Sequence, residues 1–366
     1  MNATRKLHDL GQRLWLDNIT RGLLDSGELS RYIKELSVTG LTSNPTIFDR
    51  AIGGSDFYDE AIREKAFSVS SNEELFFELA IEDLTRAADL FRPAFDASDG
   101  VDGWVSLEVS PLLADDTDAT IRAAAQLHTL AQRPNLLVKI PGTAAGLPAI
   151  EEMIFAGVPV NVTLLFSREH YLAASEAYMR GIERRIKAGR DPGVCSVASL
   201  FVSRWDAAVK DNAPLELRNR LGIAIAMRTY KAYVDLLASP RWKRLAAAGG
   251  RAQRLLWAST GTKDPAASDV LYIEALAAPN TISTMPEKTL HAFAEHGSVN
   301  SALPGDGGDA EAVLAEFGRA GVDDVALAAR LQREGTASFA KSWRDLLSTI
   351  AEKSEALPAA NLSGRG

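Results

Sequence analysis

Cysteine is nearly absent from this 366-residue chain. Cys195 stands alone, so no intrachain disulfide can form, and a reducing cytoplasm is the expected setting. Cys195 itself reads as a small buried hydrophobe. Histidine is also scarce, with five copies scattered along the chain. His291 and His296 are five residues apart and do not share a helix face, which argues against a metal hydrolase; no metal is expected. No apolar run approaches the roughly 20 residues that span a bilayer, so no membrane partner is expected. The opening MNATRKLHDLGQRLWLD mixes charges with apolar residues and does not read as a signal peptide. No GxGxxG follows the first strand-like run, and no GxxxxGKS/T occurs anywhere, so the usual nucleotide-binding signatures are missing. Basic residues are not in excess. A formal net charge of −8 argues against non-specific nucleic-acid binding and means that any anionic substrate needs a local basic pocket.

What is present is ordinary globular material, 46% hydrophobic and 24% charged, enough for one large core. Eight strand-like runs recur at 13–19, 35–42, 103–110, 135–140, 158–166, 193–201, 254–260 and 280–285. The fourth to sixth are rich in Val, Leu and Ile with little polar alternation, as suits parallel strands buried on both faces. Segments with helical spacing lie between the runs, at 71–91 with a Ser71-x-x-Glu74 capping box, 118–132, 168–189, 264–279 and 286–297. This alternation predicts the α/β class, as a (β/α)8 TIM-type barrel with extra helices over about residues 10–300 of a single domain, 1–366. An open doubly wound sheet is the alternative. Beyond the barrel, 301–311 reads as a Gly/Asp-rich surface loop without EF-hand spacing. The stretches 309–321, 323–335 and 337–357 read as helices, a C-terminal helical extension over about 301–356. Its last segment has one apolar face and is expected to pack across the barrel. The tail LPAANLSGRG is expected to be mobile.

Active sites of such barrels collect at the C-terminal ends of the strands, so polar residues are expected there inside otherwise apolar runs. The most informative is Lys139, in NLLVKIPGT. A lysine at the end of a buried strand is costly to keep charged, and a neutral amine attacks carbonyls to form Schiff bases. A lysine snorkelling into solvent is the blander reading. The other strand ends carry Asp17, then Asn44 after the second run, Glu108, Asn161 and Thr163. Ser199, Phe201 and Arg204 follow on the sixth, and Ser259 with Lys263 on the seventh. Singly, Asp17 could cap a helix, Asn44 could be a turn residue, Thr163 a strand residue, Phe201 core, and Arg204 or Lys263 surface charges. Glu108 is harder to dismiss, because an unpaired buried carboxylate is costly. Together they converge on one face.

GLTSNPTIF (40–48) resembles one transaldolase signature, and NLLVKIPGTAAGLPAI (135–150) resembles the segment around that family's Schiff-base lysine. WLDNI, SLEVSP, NVTLLFS and SLFVSR fall in the family's order and approximate spacing, so the resemblance covers about residues 10–300. It implies a class I aldolase-type barrel that moves a dihydroxyacetone unit between sugar phosphates, in the non-oxidative pentose phosphate pathway, without metal or organic cofactor. Homodimerisation is a further family expectation. By resemblance, Lys139 attacks the C2 ketone, Glu108 and Thr163 hold the water that relays protons, and Asp17 takes the proton of the C4 hydroxyl. Asn44 and Asn161 bind the dihydroxyacetone hydroxyls, with Ser199 and Phe201 also at the substrate. Arg204, Ser259 and Lys263 are the candidate phosphate ligands. Here the chain departs from the commoner pattern: where an arginine often follows the serine closely, it reads Ser259-Thr260-Gly261-Thr262-Lys263. A fructose-6-phosphate aldolase of the same superfamily tends to be shorter, with glutamine in place of Glu108 and tyrosine in place of Phe201. A non-catalytic sugar-phosphate-binding barrel would lack one or more of Asp17, Glu108 and Lys139, and all three are present.

Overall fold

A computed structural model describes residues 2–357; the tail from 358 lies outside the described residues. Eight strands, β1 (Arg13–Asp17), β2 (Val38–Thr42), β3 (Trp104–Glu108), β4 (Leu136–Pro141), β5 (Val160–Leu165), β6 (Ser196–Phe201), β7 (Arg254–Ala258) and β8 (Ile282–Met285), form a closed barrel in sequence order. Every pairing is parallel, and β1 pairs with β8 to close the ring. The eight expected runs all become strands, and the open sheet is excluded.

The pleat explains why one sequence can make both a plug and a site. Alternate residues of a strand point to opposite faces. Leu14, Val105, Val138, Ala198 and Leu255 join the apolar layer beneath the surrounding helices. The opposite parity holds Trp15, Trp104, Leu137, Val197, Leu256 and Ile282, which form a separate cluster filling the barrel. Two residues further on, the same parity gives Asp17, Ser106, Lys139, Ser199, Ala258 and Thr284. The apolar plug thus gives way to polar side chains at the C-terminal mouth. Gly40 makes room for the plug, since a Cβ there would lie 2.6 Å from both the Trp15 indole nitrogen and the Trp104 carbonyl.

Of the helices expected above, most are present, with three differences, and further helices such as Gly146–Ala156 and Leu221–Ala238 lie outside the expected segments. Asn72–Ala97 is capped by Ser71, whose hydroxyl accepts from the Glu74 N–H at 3.1 Å. The Glu74 carboxylate, however, turns to the Ser70 N–H and hydroxyl, one residue earlier than a reciprocal capping box requires. The helix expected over 264–279 shrinks to Leu271–Ala275. Side chains there compete for the backbone: Asp264 accepts from the Ala266 N–H, and Ser268 from the Val270 N–H. The two last expected helices are one, Asp324–Ala356, 33 residues long and running through Gly335. Glycine costs about 1 kcal/mol in a helix interior. Here it is buried, and a Cβ would meet Leu164 at 3.1 Å, so its smallness lets the helix lie close to the barrel.

That helix crosses the C-terminal mouth, as its apolar face suggests. Gln332 donates to the carbonyls of Gly142 (3.1 Å) and Leu164 (3.0 Å). Thr46 donates to Ser342, and Thr349 to Asp49, tying it to the helix Pro45–Gly53. Trp343 packs edge-on against Phe76. Leu164 owes its exposure to this helix to a bulge: the β5–β6 register shifts between Val162 and Leu165, and Leu164 takes a φ of 59°. Among the described residues no helix is long and apolar enough to cross a membrane.

Candidate active site

The register across three neighbouring strands places Glu108 beside Lys139 and Lys139 beside Asn161. These share one inward layer. Lys139 is buried, with its amine donating to Glu108 Oε2 at 3.1 Å and to the Ser43 carbonyl at 2.9 Å. The Ser43 hydroxyl in turn donates to the Ser106 carbonyl, which fixes the strand end that supplies that acceptor. Asn161 donates to the Ser106 hydroxyl at 3.1 Å and accepts from Ser199 at 2.7 Å, so its amide is held in one orientation. Glu108 and Asn161 form the floor.

Above the floor is a cavity of about 370 Å³ lined by Asp17, Lys139, Thr163, Ser199 and Phe201 among others. Asp17 keeps some surface open to it yet is enclosed by protein. Burial raises its carboxyl above the ordinary range, against the pull of Lys139 and Lys263. Burial also raises Glu108, opposed by Lys139 and reinforced by the charge of Asp17. Two carboxyls with a proton affinity above normal therefore flank one amine, the arrangement that proton transfer during carbonyl chemistry needs. Thr163 is inward and buried, and its hydroxyl has no hydrogen-bond partner among the described residues.

Cations gather at the mouth. Arg204 lies in the first turn of the helix Ser203–Val209, has no ion pair among the described residues, and lies 5.5 Å over the Phe201 ring. Burial lowers its pKa, with Glu334 acting the other way. Ser259, in the left-handed region at φ 55°, shares a 2.9 Å hydrogen bond with Ser203. Lys263 folds back over Gly261, its amine 3.8 Å from where a Cβ on that glycine would be, so it too lines the cavity. Asn44 does both things its sequence suggests: its side chain caps the helix Pro45–Gly53 by accepting from Ile47 N–H, and it lines the cavity.

Each residue singled out in the sequence is thus brought to one mouth, on its wall or in its floor. Sequence reasoning missed four contributors. Ser43 acts through a backbone carbonyl, which no residue type announces. Ser106 is visible only through its parity with Glu108. Arg50 lines the cavity without an ion pair among the described residues. Phe339 comes from the crossing helix, its ring 6.0 Å from the Lys139 amine and 6.0 Å from the Arg204 guanidinium. An aromatic at helical spacing reads as core, and nothing in the local pattern marks it otherwise.

Comparison with known proteins agrees with this geometry. The chain is 46% identical to a Transaldolase of a Parafrankia species, over 96% of this chain and 98% of the relative. It is 44% identical to Transaldolase 1 of Streptomyces coelicolor, over 95% and 94%. A Transaldolase of Thiobacillus denitrificans matches at 44%, over 96% of this chain and 100% of its own. The family model described as Transaldolase/Fructose-6-phosphate aldolase matches residues 14–350, so the chain belongs to the transaldolase/fructose-6-phosphate aldolase family.

Proposed function

We propose that this enzyme is a transaldolase that moves a dihydroxyacetone unit from sedoheptulose 7-phosphate or fructose 6-phosphate to glyceraldehyde 3-phosphate or erythrose 4-phosphate, through a Schiff base on Lys139, in the non-oxidative pentose phosphate pathway. The observation that carries the reading is the Lys139 amine, buried against Glu108 at 3.1 Å and opening onto the cavity that also holds Asp17.

The amine attacks the C2 ketone of the donor to give a carbinolamine. Glu108 and Thr163, on the two flanks of Lys139 in the barrel order, hold the water that carries protons as the carbinolamine loses water. Asp17 takes the proton of the C4 hydroxyl, the C3–C4 bond breaks, and the electrons pass into the iminium to leave an enamine. Its raised proton affinity, a consequence of burial, favours that transfer. Asn44 and Asn161 bind the hydroxyls of the three-carbon unit, and Arg204, Ser259 and Lys263 bind the phosphate of donor and acceptor in turn. An arginine gives a phosphate two parallel hydrogen bonds, and a lysine gives it a point charge.

The test is borohydride trapping with fructose 6-phosphate followed by peptide mapping. A dihydroxyacetone-sized adduct on Lys139, with transfer to added erythrose 4-phosphate, is the expected result. An adduct with free dihydroxyacetone as the sole product would make the enzyme an aldolase. No adduct on folded, sugar-binding protein would remove the covalent mechanism.

A further inference from the structure

The Phe339 ring stands at a junction. It lies 6.0 Å from the Lys139 amine, 6.0 Å from the Arg204 guanidinium and 6.3 Å from the Phe201 ring. It therefore roofs the space between the amine and the phosphate cation. Its helix is pinned on both sides of it, by Gln332 to the Gly142 and Leu164 carbonyls and by Ser342 to Thr46. A side chain carried this way is held over the site by the whole crossing helix.

The chemistry shows what such a roof decides. After C3–C4 cleavage the phosphorylated aldose departs, and a three-carbon enamine stays on Lys139. Two fates compete. In transfer, C3 attacks the aldehyde carbon of an acceptor, a C–C bond forms, and the aldehyde oxygen takes a proton. One water then adds to C2 of the resulting iminium and the C2–N bond breaks, which frees the new ketose and the lysine amine. In the leak, C3 takes a proton, water adds to C2 and the C2–N bond breaks. One water is consumed, free dihydroxyacetone leaves and the lysine amine is restored. The enamine is vulnerable in the interval when the half of the cavity nearest Arg204 holds no sugar. Phe339 borders that half and the amine at once, and an apolar ring there keeps bulk water from delivering a proton to C3 while the enamine waits, leaving the water held by Glu108 and Thr163 in place.

Resting on the transaldolase reading above, we propose that Phe339 is a specificity-determining residue which sets the partition between transfer and hydrolysis. The C-terminal helix is in this sense part of the active site. The measurement is the ratio of free dihydroxyacetone to transfer product, with fructose 6-phosphate and erythrose 4-phosphate, for wild type, Phe339→Ala, Phe339→Leu and Phe339→Tyr. Phe339→Ala should raise the ratio at least about tenfold, which corresponds to about 1.4 kcal/mol between the two barriers. Phe339→Leu should raise it less, and Phe339→Tyr, which keeps the ring, should stay near wild type. A merely structural role would slow both fates together and leave the ratio alone. An unchanged ratio in Phe339→Ala, or in Phe339→Leu where the alanine variant does not fold, overturns the proposal whatever happens to the overall rate. Borohydride adducts on Lys139 are followed in parallel. Their absence in wild type would bring down the transaldolase reading itself, and an adduct with an unchanged ratio would bring down the role of Phe339 alone.

Discussion

Asp17 and Glu108 face a single amine, and burial pushes both carboxyls up while the charge of Lys139 pulls them down. This balance makes the consequences of substitution specific. Lys139→Ala should abolish transfer yet leave a folded barrel, because the Glu108 carboxyl, already raised, takes a proton once its partner is gone. Turnover assays with circular dichroism check both halves, and near-wild-type activity would sink the Schiff-base mechanism. Asp17→Asn should reduce C–C cleavage by about 10²–10⁴, the usual worth of a positioned general base, with little change in the donor's capacity to form the adduct. Release of aldose phosphate against trapped adduct separates the two; equal losses in both would remove Asp17 from the cleavage step. Arg204→Ala should raise the KM for phosphorylated donors by about 10- to 100-fold, since charged hydrogen bonds contribute about 1.5–3 kcal/mol. A KM unchanged from wild type would assign the phosphate to Lys263 and Ser259.

The elements were legible to the degree that their cause is local. Lys139 and Glu108 stand out because a charge inside an apolar run violates the pattern of a buried strand, and the fold gathers such violations at one mouth. The strands were legible for the same reason, since 158–166 and 193–201 have the composition of chain buried on two faces. The helical stretches 323–335 and 337–357 were legible too, but their union in one helix, Asp324–Ala356, was not, because its continuity through Gly335 is settled by contact with Leu164, more than a hundred residues away. Phe339 was hidden with it. The segment 264–279 misled in the opposite way: its apolar spacing suits a helix, but Asp264 and Ser268 take the backbone N–H groups for themselves. Gly40 shows a tertiary demand that leaves a local mark. Gly40→Ala drives a methyl group toward the Trp15 indole and the Trp104 carbonyl, and overpacking of that kind costs about 1–3 kcal/mol. A lowered urea midpoint with unchanged slope is the expected readout; an unaltered midpoint would mean that the plug can shift.

At the scale of the whole molecule, the barrel's stability should carry a pH signature from carboxylates that the chemistry does not use. Asp206 accepts from the Leu221 and Gly222 N–H groups at 2.9 and 3.2 Å and from the Tyr272 hydroxyl at 2.8 Å. Burial outweighs those bonds and raises it from 3.8 to about 6. The folded state thus holds this proton more tightly than the unfolded chain does. The stabilisation is present below about pH 4 and is lost as pH rises through about 6. Asp206→Asn removes the titration, so the unfolding free energy of wild type minus variant should fall between those limits and level off above pH 7. A flat difference in urea titrations across that window would show that Asp206 titrates as it does in the unfolded chain.

The crossing helix gives the molecule an order in time as well as in space. A growing chain lengthens by about 5–20 residues each second, and every group from Asp17 to Lys263 is in hand before Phe339 is added. Lys139, Arg204 and Lys263 are therefore synthesised some seconds before the ring that lies over the first two. If Phe339 guards the enamine as proposed, the residues that would make the intermediate come earlier in the chain than the one that would protect it.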